Sequence, residues 1–284
     1  MLLEKKTYRT PLRMAAQALN LGQIAVLYKV PGFTVRVSRC PVCGASPDKL
    51  EYSARYTPLD HCGGCGHVYS RIVPKERILG LMYKDLDYWM RDKNHQGINT
   101  IEPGVQWQPY LKDRMAILTR TVLPDGKARK IFELGCSEGM LLKELQDRGH
   151  DVLGCEVNKP TAELGMKTLG VKIRTGLFEN IELAPTCYDV VASFHTVEHL
   201  CDLKAVFGKI SAILKPDGAT VIEVPTGPEE YRNSDHLQFF DAHSLRILIE
   251  QFFEECEIIP NQYTNPNGVL IGSLYAVGRR PRGR

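Results

Sequence analysis

The sequence predicts an α/β fold, a mostly parallel sheet whose last strand runs antiparallel, with a small metal-held module ahead of it. Three observations predict it. From about residue 129 onward, short apolar runs alternate with helix-period segments. The last two apolar runs, CEIIP and VLIGSLYAV, are joined by the turn-rich NQYTNPNG with no helix between them, so they should form an antiparallel hairpin. Upstream, four of the nine cysteines stand as two tight pairs, C-x2-C-x18-C-x2-C.

Composition agrees with a soluble globular chain. Of 284 residues, 43% are hydrophobic and 24% charged, which excludes a disordered or collagen-like chain. The net charge of +3 is too weak and too spread to call for a polyanion partner. No apolar run reaches the roughly 18 residues of a membrane span. Lys5, Lys6, Arg9 and Arg13 precede AAQALNLGQIAVLY, but Gln17, Asn20 and Gln23 interrupt that stretch, so an amphipathic helix is expected and a secretory leader is not. An odd number of cysteines, segregated into a cluster and scattered single thiols, suits a cytoplasmic chain with a metal site.

Four parts follow in order. Residues 1–39 are a helical and extended lead-in, ending near Pro31 and Gly32. Residues 40–72 hold the cysteine pairs. Residues 73–128 read as a helical, aromatic-rich connector or lid, with Tyr83, Tyr88, Trp89, Trp107 and Tyr110. In it Leu111, Met115, Leu118 and Val122 recur at helical spacing until Pro124-Asp125-Gly126 stops the helix. In residues 129–284, KIFELG, DVLGCEV, VKIRT, YDVVASF and ATVIEV read as strands. Helices are expected over SEGMLLKELQDRG, over 160–169, along Leu203, Val206, Phe207, Ile210, Ile213 and Leu214, and along Leu245, Leu248, Ile249 and Phe252. Pro216-Asp217-Gly218 should be a turn.

Cys40, Cys43, Cys62 and Cys65 have the spacing of a tetrahedral zinc site and resemble the two knuckles of a zinc ribbon. Two intervening residues let both thiolates of a pair face one ion, and Gly44 and Gly66 permit the turn after each pair. Four thiolates leave no open coordination position, so the Zn2+ should be structural. His61 and His67 flank the second pair and are superfluous as ligands.

The most informative stretch is IFELGCSEG, which spans a strand-to-helix turn. Gly135 allows the sharp turn, Gly139 lets the helix approach a ligand, and Cys136 and Ser137 occupy the crest, with bare amides expected at the helix start. It is neither the dinucleotide fingerprint G-x-G-x-x-G nor a P-loop, which needs a lysine. Glu133 would repel a pyrophosphate but suits a cationic ligand, such as an ammonium or a sulfonium. The next strand ends in Glu156, placed to accept hydrogen bonds from both hydroxyls of a ribose. The plain alternative is an exposed strand-end charge.

ELGCSEG, the strand-end Glu156, YDVVASFHTVEHL and LKPDGATVIEVP resemble the successive motifs of class I S-adenosylmethionine-dependent methyltransferases over about 125–284. HTVEHL followed by HLQFF is similar to the broad group acting on small molecules and sugars. A zinc ribbon before such a domain resembles sugar C-methyltransferases of deoxysugar biosynthesis and related enzymes of cell-surface glycan clusters. The resemblance implies a Rossmann-like sheet and S-adenosylmethionine as cofactor. It implies that Glu133, Gly135, Cys136, Ser137 and Gly139 hold the methionine part, and Glu156 with Val157 the ribose. Gly176, Leu177 and Phe178 would lie by the adenine, with Leu177 where many members carry an acid. Phe194 and His195 would face the donor methyl.

Methyl transfer is an in-line displacement that needs a positioned acceptor and, for a hydroxyl or carbon acceptor, a base. Histidine suits that role. His236, beside Asp235 as in an acidic-His pair of the sugar enzymes, is the first candidate. His195 at the end of a strand follows, then His199, with Tyr231 as a substrate contact. His243 reads as a cap or surface residue, and Asp189 as structural. The expected acceptor is a small molecule such as a sugar or secondary metabolite. The alternatives are an RNA methyltransferase gripping its substrate with the ribbon, or a catalytically silent cofactor-binding protein. The first is disfavoured because FHTVEH stands where amino-methylating nucleic-acid enzymes have Asn/Asp-Pro-Pro-aromatic, so nucleic acid and membrane partners are not expected.

Overall fold

The computed structural model describes residues 30–49, 58–75, 78, 108–227, 231, 236–264 and 270–283. The expected N-terminal helix, Tyr83, Tyr88, Trp89, Trp107 and Asp235 lie outside them. Among the described residues, no helix is long and apolar enough to cross a membrane.

The cysteine module is built from very short strands. β1 (Thr34–Arg36) pairs antiparallel with β5 (Ile72–Pro74). β2 (Asp48–Lys49), β3 (Leu59–His61) and β4 (Val68–Ser70) form an antiparallel sheet. The sheet's fourth strand, β11 (Gln238–Phe239), comes from far along the chain and pairs with β4, giving the order β11-β4-β3-β2.

The large sheet contains β6 (Lys130–Leu134), β7 (Asp151–Glu156), β8 (Ile173–Thr175), β9 (Tyr188–Phe194), β10 (Leu214–Pro225), β12 (Phe253–Thr264) and β13 (Leu270–Pro281). Their order is β12-β13-β10-β9-β6-β7-β8. Pairings among β6 to β10 are parallel, and β13 runs antiparallel to both β10 and β12. The expected mostly parallel sheet with a terminal hairpin is therefore present. The order of neighbours reverses beside β6, and α/β sheets bind ligands at such a switch point, at the carboxyl ends of the strands.

Successive residues of the central strands point to opposite faces, and both faces are buried, which is why these strands read as unbroken apolar runs. Phe132, Val191 and Ile222 pack with α4 (Leu203–Ile213) and α5 (Ala242–Glu250). Ile131, Val190 and Val221 pack with α1 (Gln108–Thr121) and α2 (Met140–Asp147). Cys40, Val42, Cys62, Cys65 and Tyr69 belong to the α4–α5 side, so the cysteine module shares the core of the large sheet.

Local chemistry sets the helix limits. Asn158 accepts a hydrogen bond from Thr161 N–H (2.8 Å) and caps α3 (Lys159–Leu169), which Gly170 ends at φ 67°. Asp241 and Ser244 form a reciprocal capping box on α5. Several boundaries differ from expectation: Leu214, expected on a helix, opens β10, and Phe252 lies beyond the end of α5. Pro216-Asp217-Gly218 lies inside β10 as an irregularity, where the register against β9 slips between Leu214 and Ala219. β12 begins at Phe253, ahead of CEIIP, because Phe253 is already paired with Pro281.

Candidate active site

The turn between β6 and α2 is shaped by its own hydrogen bonds. Gly135 (φ 72°) and Cys136 both donate to Cys155 O, at 2.9 and 3.0 Å, and Gly139 N–H donates to Cys136 O at 2.8 Å. Ser137 N–H donates to Glu156 Oε2 at 3.0 Å, and Asn158 N–H donates to Glu156 Oε1 at 2.8 Å. The loop amides of Gly135, Cys136, Ser137 and Gly139 are therefore engaged, while the start of α2 carries no side-chain cap. A loop tied to its neighbouring strand is set before any ligand arrives. Gly135 is required twice over, by its positive φ and because a Cβ there would stand 2.1 Å from Thr196 Oγ1. Cys136 turns its side chain inward, under Gly154, so only its backbone reaches the crest.

Glu133 lies beneath this turn, 4% exposed, with Oε2 lacking a hydrogen-bond partner among the described residues. Burial pushes its carboxyl up to about 8; Arg114 pulls it down and Glu156 adds to the rise. Folded Glu133 is thus protonated at neutral pH, whereas the unfolded group ionises near 4.5. The folded state binds the extra proton, so this contribution to stability is complete below pH 4.5 and is lost as pH rises through about 8. Glu133→Gln should remove that loss. By pH 9 the variant should exceed the parent by roughly 2–4 °C in Tm for each kcal/mol of the penalty. Calorimetric melting from pH 5 to 9 checks this, and parallel curves for the two proteins would contradict it.

A second cluster gathers at the carboxyl ends of β9 and β10. His195 follows β9 in a left-handed conformation (φ 52°), a backbone state uncommon for side chains other than glycine and found at functional sites. Its Nδ1 lies 3.4 Å from Glu198 Oε1 and its Nε2 3.5 Å from Glu223 Oε1. Burial works against charge on this ring, but Glu223 and Glu198 outweigh it and raise the imidazole to about 10. Burial would likewise raise Glu223, but His195 and Arg114 hold it near 2. Glu198 is 1% exposed. Burial would raise its carboxyl too, yet His195, His199 and His236 around it keep it below its ordinary value. His199 Nε2 and His236 Nε2 each stand 4.0 Å from Glu198 Oε1, and the two rings meet edge to face at 4.8 Å. Three expected histidines are thus brought together, around a carboxylate.

The other expected residues are spread over strand ends, the core and the opposite edge of the sheet. Phe194 is buried at the end of β9, beneath the Arg114 guanidinium at 4.8 Å. Val157, Gly176 and Leu177 are partly exposed at the ends of β7 and β8, and Gly176 N–H donates to Glu156 O. Phe178 points into the core against Phe132, and Lys209 holds the turn around it through the carbonyls of Phe178, Glu179 and Ile181. Tyr231 packs edge-on against Phe239, which in turn lies 6.3 Å from the His236 ring. Asp189 accepts from Lys130 N–H and Lys215 Nζ at the opposite edge, which is a structural position.

Sequence reading missed Arg114 and Glu223. Arg114 reaches in from α1, with Nε 3.6 Å from Glu223 Oε2. Asp113 beside it accepts from Tyr275 OH and Asn261 Nδ2, which fastens α1 to the terminal hairpin. Glu223 carried one signal, a carboxylate inside the apolar run TVIEVP.

The four cysteines converge. Their Sγ atoms all lie within 4.8 Å of one another, with Cys40–Cys65 at 3.5 Å and Cys43–Cys62 at 3.4 Å. Bonds of about 2.3 Å to a tetrahedral ion separate its sulfurs by close to these distances. Backbone N–H groups of Val42 and Cys43 point at the Cys40 sulfur, and those of Gly64 and Cys65 at the Cys62 sulfur. The donor set therefore fits a thiolate-bound zinc. His67 is turned away to Gln238 Oε1 at 2.9 Å, and Gln238 Nε2 donates to Leu200 O at 2.9 Å. Leu237 N–H donates to Glu198 O and Ser70 N–H to Leu237 O, so the cysteine module flanks the segment that carries His236.

The sequence profile of the family described as "Methyltransferase domain" matches residues 107–252. Curated relatives include the ubiquinone biosynthesis O-methyltransferase of Photobacterium profundum, 31% identical over 97 residues, covering 32% of this chain and 41% of that protein. The enzyme of the same name from Chromobacterium violaceum is 26% identical over 137 residues, 46% of this chain and 54% of that protein. The chain spans about two fifths of the length of the first curated relatives it matches. A solved S-adenosylmethionine-dependent methyltransferase from Archaeoglobus fulgidus aligns with a TM-score of 0.54 at 15% identity, over 68% of this chain and 100% of that one. A Haemonchus contortus N-methyltransferase in complex with phosphomonomethylethanolamine and S-adenosylhomocysteine also gives 0.54 at 15% identity, over 69% of this chain and 59% of that one. At these identities the likeness to the two structures is one of fold.

Proposed function

The chain belongs to the methyltransferase-domain family, and from that premise we propose that it moves a methyl group from S-adenosylmethionine to a small-molecule acceptor. The observation that carries the reading is the pairing of two buried sites along one sheet edge, the Glu133–Glu156 turn and the histidine cluster after β9. The naming of several relatives as O-methyltransferases favours a hydroxyl acceptor, with a sugar or secondary metabolite as its class. The turn fits the cofactor: Glu133 keeps a buried oxygen without a partner among the described residues, and Gly135 leaves room for no side chain. Glu133 would face the cationic methionine part and give up its proton as that charge arrives, and Glu156 would accept from the ribose, with Val157, Gly176 and Leu177 along the nucleoside. Phe178 would support that wall from below. Bound there, the sulfonium supplies an electrophilic methyl.

Phe194 and His195 would bound the reacting end, and Tyr231 the acceptor side. Loss of the acceptor proton falls to the histidine cluster, led by His236. His195 is held protonated between two carboxylates and so would fix Glu198 and Glu223 beside the acceptor. Zinc in the four-cysteine site would act on structure alone, because four thiolates leave it no open position. His236→Ala should lower kcat by about 10²–10⁴-fold and leave affinity for S-adenosylhomocysteine unchanged. Calorimetry with that product, followed by turnover assays on catechols and nucleotide-linked sugars, tests the reading. Absence of product binding would overturn it. Steeply salt-dependent RNA binding would instead favour a nucleic-acid substrate.

A further inference from the structure

We propose that Glu198, His199 and His236 form a divalent-cation site beside the reacting end of the pocket, and that the cation activates the acceptor hydroxyl. This rests on the methyl-transfer reading and names the means by which the histidine cluster handles the acceptor.

One ligand atom from each of the three residues lies within 4.8 Å of the other two. His199 Nε2 and His236 Nε2 are both 4.0 Å from Glu198 Oε1. Around an ion with bonds of about 2.0–2.2 Å, neighbouring ligand atoms stand roughly 3–4 Å apart, so closure takes a small inward movement. The second observation concerns the carboxylate itself. Glu198 is 1% exposed, and neither of its oxygens meets a donor at hydrogen-bond geometry among the described residues. A buried carboxylate in that condition is costly, and a cation at the centre of the cluster satisfies it. His195 Nδ1 approaches the same oxygen at 3.4 Å, but its ring is strung between Glu198 and Glu223 and is left out of the ligand set.

The ligands come from two chain segments that the backbone locks together. Leu237 N–H donates to Glu198 O at 2.7 Å, and Ser70 N–H to Leu237 O at 2.8 Å. His199 N–H closes the short turn onto Thr196 O at 3.0 Å. Two imidazoles and one carboxylate suit Mn2+, Co2+ or Zn2+ and leave coordination positions open, unlike the closed four-thiolate site. An acceptor hydroxyl bound at an open position becomes more acidic and loses its proton to water, and His236 then serves as a ligand of the ion in place of acting as the base itself. The oxygen then forms its bond to the donor methyl carbon. The carbon–sulfur bond breaks, its electron pair stays on sulfur, and a neutral thioether leaves.

The test uses Mn2+ alone, a hard ion that selects nitrogen and oxygen ligands over thiolates, added to the full zinc-loaded chain and followed by the paramagnetic resonance signal of unbound Mn2+. One saturable Mn2+ per chain is expected. His199→Ala and His236→Ala should each weaken it by at least ~10-fold. His243→Ala, at an exposed position opening α5, should leave it unchanged. No uptake by the parent overturns the proposal, as does uptake unaltered in both variants. Turnover undiminished by a chelator also overturns it. Binding of S-adenosylhomocysteine is measured in parallel. Cofactor binding and turnover that persist without Mn2+ uptake remove the cation and leave the methyltransferase, whereas loss of cofactor binding in the parent removes both.

Discussion

Replacing Cys65 with serine is expected to strip the chain of zinc and lower its melting temperature by roughly 10 °C or more. Zinc held by such a set carries an apparent binding free energy of about 10–16 kcal/mol in isolated fingers, and a lost thiolate forfeits much of it. The damage should not stay local. Cys40, Cys62 and Cys65 pack in the same core as Phe207, Leu245 and Leu248, so unfolding of the module exposes one side of the large sheet. It also releases the β4–β11 pairing, which lies two residues from His236. Methyl transfer should therefore fall with stability. Metal content and thermal unfolding, measured on parent and variant, check both parts. A zinc-free variant that melts with its parent would show that the sulfurs hold no ion of consequence to the fold.

Glu156→Ala should weaken binding of S-adenosylmethionine and its demethylated product by about 10²–10⁴-fold, since two hydrogen bonds to a charged acceptor contribute roughly 1.5–3 kcal/mol each. A further loss should come from the turn. In the structure this carboxylate accepts from both Ser137 N–H and Asn158 N–H, so it clips the loop to the start of α3. Glu156→Gln separates the two effects. It keeps the shape and one acceptor oxygen, and should retain more of the loop order than of the affinity. Calorimetry reads the affinity and amide exchange at Ser137 reads the loop. If Glu156→Ala binds as tightly as the parent, the ribose assignment is wrong.

The sequence made the central sheet legible because its parallel strands are buried on both faces and so appear as plain apolar runs, from KIFEL to TVIEV. The terminal hairpin was legible from the missing helix, and the cysteine site from spacing alone. What stayed hidden was non-local. Nothing near Gln238 marks it as an edge strand for Tyr69. Arg114 reads as a solvent charge on a helix, yet it stacks over Phe194. The histidines were singled out, but that Glu198 and Glu223 form the frame they hang on depends on which strand ends lie side by side.

The fourth strand of the small sheet has a consequence for biosynthesis. His67 and Gln238 are 171 positions apart, so the cysteine module leaves the ribosome long before the segment that completes it. Until then β4 presents an open edge, a template for pairing with another nascent chain. Translation stalled or terminated before residue 238 would leave that edge uncovered, and such fragments should be prone to aggregate even when loaded with zinc.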